Sequence, residues 1–156
     1  MNFNLADLSR RLENIVRIGT IFDVRHSKQP HVRVTLGEIV TDWLPVFTLR
    51  AGDTKTWSPT TKGEQCIVFS PSGDLGAGAV LVGINSQHNQ APDDNPDNTR
   101  TEYKDGAIFD YNHEDSHYKI TLPSNGKVTI NIGATTLEMT TDGTTLTTPR
   151  FDGVQS

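Results

Sequence analysis

Residues 112–117 read NHEDSH, and within them His113, Glu114 and His117 have the His-Glu-x-x-His spacing of a zinc peptidase site. The chemistry behind that spacing needs a helix, which sets residues four apart on one face so that two imidazoles meet the metal while the glutamate activates its bound water. The flanks, AIFDY and YKITL, are rich in β-branched and aromatic residues, and Ile120 and Leu122 alternate with Thr121. They read as strands. If one strand ends near Tyr111 and the next begins near Tyr118, HEDSH is most of a polar connection, and no third-ligand motif follows it.

Other chemistry-bearing residues are dispersed. His26, His31 and His88 fall at loop or strand edges, and no Ser/His/Asp order stands out. Asp105, Asp110, Glu114 and Asp115 gather near one end of a hairpin, where turn formation and solvation account for them. Gly73, Gly76 and Gly78 lie between strands rather than opening a helix, so a phosphate-binding loop lacks its context. Trp43 and Trp57 could stack on a sugar or a base, although Trp43 within TDWLP reads as core. A monomeric OB-type module binding glycan or single-stranded nucleic acid is therefore the alternative function. A net charge of −5 and a pI near 5.4 set the chain as a whole against polyanions, so no nucleic acid partner is expected.

The single Cys66, in the apolar run CIVF, has no disulfide partner in the chain and reads as a buried strand thiol. The start, MNFNLADLSRRLENIV, lacks the continuous apolar segment of a signal peptide, and no later run approaches membrane-spanning length. Synthesis in the cytosol is the expectation.

With 156 residues, one modest core is expected, and the hydrophobic share of 34 % is low. Over residues 1–16, Asn4 caps a short helix in which Leu5, Leu8, Leu12 and Ile15 form one apolar stripe. Its partner is this protein's own barrel, the favoured reading, or a neighbouring subunit. Residues 17–86 carry five strand-like runs, RIGTIFDVRH, HVRVTL, IVTDWLP, EQCIVFS and AVLVGI, separated by Gly-, Pro-, Ser- and Asp-rich breaks. Five short strands with one long connection before the fourth suit an OB-like Greek-key barrel; a five-stranded SH3-like barrel would look similar. Residues 87–100 fall in a polar, proline-containing stretch and read as a linker.

From residue 101 to 156 short apolar bursts alternate with Thr and Asn, the period of strands. Asp105-Gly106, Asn125-Gly126 and Asp142-Gly143 each suit a tight hairpin, giving three hairpins in series, and Asp152-Gly153 would begin another turn. Ten threonines lie between His117 and Ser156, and the apolar face consists of Ile120, Leu122, Val128, Ile130, Ile132, Leu137, Met139 and Leu146. Eight such side chains are too few to offset the ordering entropy of some forty residues. The segment is then disordered, packed on the barrel, or wrapped with identical copies as a trimeric β-helix. Alternation argues against disorder, and threonine suits strands whose hydroxyls face water.

The stretches TDWLPVFTLRAG (41–52), GEQCIVFSPSGDLGAGAVLVGI (63–84) and KDGAIFDYN (104–112), with VRIGTI near the start, resemble the baseplate assembly protein V family, the central spike of contractile-tailed phages and R-type bacteriocins. The similarity is collinear from about Leu5 to at least Tyr111; the Thr-rich tail matches in texture. It implies a mainly β protein: an N-terminal helix, an OB-like five-stranded barrel, then an intertwined trimeric β-helix, with the eight residues above as trimer core. It also implies a homotrimer without catalysis of its own. Such a spike caps the tail tube beneath the baseplate hub and is driven through the bacterial outer membrane on contraction. The location implied is the virion's tail baseplate, assembled in the host cytoplasm. Family spikes usually end in a His-x-His cap holding iron on the three-fold axis. No His-x-His occurs here and no histidine follows His117, so no metal or other cofactor is expected in this chain. The Asp152-Gly153 turn favours a truncated tip.

Overall fold

The computed structural model describes residues 4–155; the expected helix and shaft, 1–16 and 101–156, extend to residues 1–3 and 156, which lie outside it. Helix α1 runs Leu5–Asn14. Asn4 caps it by accepting the Ala6 N–H at 3.1 Å, satisfying one of the donors that a helix start leaves open. Asp7 pairs with Arg10 at 2.6 Å and Arg11 at 3.0 Å, and those side chains hold its carboxyl below the usual carboxylate range.

The apolar stripe of α1 is not buried against its own barrel, the reading the sequence favours. Leu5 is 81 % exposed and Leu12 59 %, and Leu8 and Ile15 are also open. The helix docks by a different edge, where Asn14 is buried and the backbone of Arg11 lies against Gly73. A Cβ on that glycine would come within 2.6 Å of the Arg11 Cα. The Ser70 N–H then holds the Ile15 carbonyl at 2.8 Å, fixing where the helix leaves off.

The barrel strands are β1 (Val16–Arg25), β2 (His31–Leu36), β3 (Ile39–Val40), β4 (Leu44–Pro45), β5 (Gln65–Phe69) and β6 (Ala79–Ile84). They pair in the order β3-β2-β1-β5-β6, with β4 also on β2. A parallel contact of Val46 with Val80, with the Phe47 N–H donating to the Val80 carbonyl at 2.9 Å, brings the end of the third run onto the last strand. Closure of this order is that of the OB-type Greek key. The expected continuous strand over 39–45 is divided. The Thr41 hydroxyl, itself buried, accepts the Val34 N–H at 3.0 Å and donates to the Asp42 carbonyl at 2.8 Å. A side chain thus takes a ladder position that the backbone would otherwise fill.

Alternation along the strands turns Ile21, Val32, Val34, Leu36, Leu44, Cys66, Val68 and Val80 into one buried core. Cys66 is wholly buried, and burial first, then the nearby Glu64, pushes its thiol up to about 11. At pH 8 only about one thiol in a thousand is then ionised. A disulfide-exchange reagent should leave Cys66 unlabelled in the native protein and label it as the barrel unfolds in urea; rapid native labelling would contradict this core.

A second unit begins at Ala91. It contains a sheet of β7 (Asn98–Glu102), β8 (Ile108–Asn112) and β9 (His117–Thr121), and another of β10 (Val128–Ile132), β11 (Thr135–Thr140) and β12 (Gly143–Thr147). Each sheet is an antiparallel meander within the single chain. Strand β7 starts at Asn98, inside the stretch expected as linker. The hairpin turn at Asp105-Gly106 forms as expected, with Gly106 at φ 86°; the last hairpin turns one residue earlier than expected, on Thr141-Asp142, with Gly143 already in β12 and paired with Thr140. Asn125-Gly126 does not form a hairpin, because β9 pairs only with β8 and β10 only with β11. Gly126 serves close approach instead: a Cβ there would lie 2.6 Å from that of Leu122. The turn joining β10 to β11 is Gly133-Ala134, with Gly133 at φ 56°. Residues 148–155 are in no strand, so Asp152-Gly153 joins no hairpin.

Candidate functional site

Residues 113–116 form the tight turn between β8 and β9, with Asn112 and His117 directly paired across the hairpin. The Asn112 side chain accepts the Asp115 N–H at 2.8 Å, and Ser116 turns the chain at φ 50°. No helical face brings the two imidazoles together. His113 is engaged by Asp97, its Nε2 lying 3.0 Å from the carboxylate. Among the described residues no group of three or more His, Cys, Asp or Glu side chains is placed to hold a metal ion.

The tryptophans divide as well. Trp43, expected in the core, is half-buried with the Arg25 guanidinium 4.2 Å above its ring, a cation–π contact at the barrel surface. Trp57 is exposed and lies roughly perpendicular to the His26 ring, 6.0 Å between ring centres. It lines an open groove of about 510 Å³ with Phe47, Leu49, Pro59, Glu64 and Leu81. No Lys or Arg lines that groove, which therefore offers a phosphate backbone nothing to pair with.

The second unit carries the more distinctive arrangement. In the β10–β12 sheet, Ile130, Leu137 and Leu146 face one another across three strands, and Val128 pairs with Met139 in the next row. Ile132 continues this face beside Thr135 and is 76 % exposed. The opposite face holds Asn131 with Thr136 and Thr147, and Thr129 with Glu138 and Thr145. Lys127 adds an ion pair to Glu138 at 3.0 Å.

The β7–β9 sheet repeats the division. One face presents Tyr111 beside Tyr118 and Phe109 beside Ile120, with Tyr103 packed edge-on to Phe109 at 5.3 Å between ring centres. The other is mainly polar, with Ile108 between Glu102 and Thr121: Arg100 makes two bonds to Asp110 at 2.6 and 3.3 Å, and the Asn112 amide donates to Asn98 at 2.7 Å. The Asp110 carboxylate raises the pKa of Arg100, and the Asn98 amide and backbone N–H groups hold Asp93 low.

Of the eight residues read as an apolar face, the structure brings Val128, Ile130, Ile132, Leu137, Met139 and Leu146 onto one side of one sheet and Ile120 onto the other sheet. Leu122 follows β9 against Gly126. None of the eight is buried within the chain. Residue-by-residue reading missed the aromatic members of the first face, Phe109, Tyr111 and Tyr118. The signal was present in the period-two spacing of Phe109 with Tyr111 and of Tyr118 with Ile120. A sheet with one apolar face needs something against that face, since apolar area left in water forgoes the stabilisation of burial.

Residues 17–84 match the family described as the type VI secretion system/phage-baseplate injector OB domain. The chain is also 32 % identical to the spike protein of Escherichia phage P2 over 152 residues, which covers 94 % of this chain and 71 % of the phage protein.

Proposed function

The chain belongs to the baseplate assembly protein V family and is a structural part of a phage tail; on that premise we propose that it is the central spike of a contractile tail. In this reading three copies associate through the second unit and wind into an intertwined β-helix. The spike caps the end of the tail tube below the hub and crosses the bacterial outer membrane when the sheath contracts. Its work is mechanical and calls for no catalytic group.

One observation carries the reading: two consecutive three-stranded sheets, each with an apolar face that its own chain leaves open. A single layer of this kind lacks the second layer that a stable fold requires, and identical copies supply it at equal stoichiometry. The threonines on the opposite faces then point to water, which suits a shaft that is wet outside and dry along its axis. No cofactor is needed for such a part.

Sedimentation velocity at micromolar concentration is the direct test. The expected species has three times the 17.2 kDa chain mass. The apparent Tm should also rise with protein concentration, as it does when folding and association are linked. A stable monomer with a concentration-independent Tm would refute the trimeric spike.

A further inference from the structure

The first unit has two open apolar surfaces of its own. One is the row Leu5, Leu8, Leu12 and Ile15 on α1. The other is the outer face of the β1–β5–β6 sheet, where Ile18, Ile67 and Leu81 are paired across three strands and Val16 is paired with Phe69 in the next row. Phe47 extends that face, meeting Phe69 edge-on at 6.3 Å between ring centres. Ile18 is 63 % exposed, and Val16, Phe47, Phe69 and Leu81 are open too.

The helix cannot swing back to cover this sheet. Only Ile15 separates α1 from β1, its carbonyl is held by the Ser70 N–H, and the Arg11 backbone is seated against Gly73. A rigid helix with its single apolar row turned to solvent reverses the usual arrangement of a surface helix. We infer that the leucine row of α1 seats on the outer β1–β5–β6 face of a neighbouring copy, a head-to-tail contact that repeats around a closed ring. The inference rests on the trimeric reading and names a contact it leaves open.

Helix-to-helix pairing between copies would bury the leucine row and leave the sheet face bare. Helix on sheet covers both, and every copy brings one of each, so the two surfaces match in number in any closed ring. About nine partly exposed apolar side chains would be covered per contact, on the order of 500 to 1,000 Å² at roughly 60 to 120 Å² each. That is below the standard size of a self-sufficient interface, about 1,200 to 2,000 Å². The contact is therefore one that a ring repeats, secondary to association through the second unit.

The test uses full-length chains, in which the native Cys66 is buried. Chains carrying Leu12→Cys are assembled together with chains carrying Ile18→Cys and treated with a short bismaleimide. A two-chain band on a denaturing gel is expected from the mixed assembly and from neither variant alone, and the same result is expected for Leu8→Cys with Leu81→Cys. Two-chain bands from Leu12→Cys alone would show helix meeting helix and overturn the proposal. So would the absence of any helix-to-sheet link in samples that sediment as trimers, a result that leaves the trimeric reading intact. Samples that sediment as monomers would refute that reading itself and this contact with it.

Discussion

On the trimeric reading, replacing Ile130 by aspartate is expected to leave the chain monomeric at concentrations where the wild-type chain sediments at three times its mass. Ile130 is the central residue of β10 and stands at the edge-strand end of the row it forms with Leu137 and Leu146, on the apolar face of the sheet. If the row faces the shared axis, three carboxylates enter one dry core without partners. An uncompensated buried charge costs about 3–5 kcal/mol. Three of them exceed about 10 kcal/mol, on the order of 10⁷-fold in the association constant. The matched control is Thr147→Asp, on the opposite face of the same sheet, where the carboxylate stays in water and association should be unchanged. Sedimentation of both variants decides the matter. Dissociation by Thr147→Asp with Ile130→Asp still trimeric would mean that the polar face, and not the apolar one, is turned inward.

The features most legible in the sequence are those set by local spacing. Asn4 and the 3, 4, 3 recurrence of Leu5, Leu8, Leu12 and Ile15 specify α1, and alternating valines in HVRVTL specify a strand buried on one face. The flanks of NHEDSH exclude the helix that its histidines would need. What spacing does not reveal is the partner of each element. Asp105-Gly106 and Asn125-Gly126 look equivalent, yet the first turns a hairpin through positive φ, and the second is a glycine because Leu122 passes close by. The Gly133-Ala134 turn carries no Asn or Asp to announce it. The stripe of α1 is visible, but its direction depends on Gly73, some sixty residues away, accepting the backbone of Arg11. The break at Thr41 likewise rests on one hydroxyl reaching the backbone of another strand. For the candidate site, aliphatic spacing identified the open face of the last sheet. The aromatic half of the preceding face went unread because Tyr and Phe at strand ends resemble turn-flanking residues until their cross-strand partners are known.

The barrel should depend on one glycine more than its exposed loops suggest. Gly19 lies on β1 opposite Cys66, and a Cβ there would meet Val34 Cγ1 at 2.5 Å, the Thr35 carbonyl oxygen at 2.6 Å and Leu36 Cδ2 at 2.7 Å. The two side chains could adjust, but the carbonyl belongs to the β1–β2 ladder and moves only with the strand. Gly19→Ala is therefore expected to cost about 2–3 kcal/mol, the upper part of the range for overpacking a core. Gly52→Ala provides the contrast, because its added methyl meets nothing within 4 Å and its backbone is not left-handed. There the restricted unfolded chain should leave stability unchanged or raised by about 0.4–1 kcal/mol. Urea unfolding followed through Cys66 labelling reports on the barrel core alone, since the thiol becomes reactive only when that core opens. Equal midpoints for the two variants would show that β1 and β2 are not packed as closely as the structure places them. Because association is assigned to the apolar faces of the second unit, Gly19→Ala should lower the barrel's midpoint and leave the sedimenting species in dilute buffer a trimer. The opposite pattern is expected of Ile130→Asp, which should dissociate the protein with Cys66 still protected.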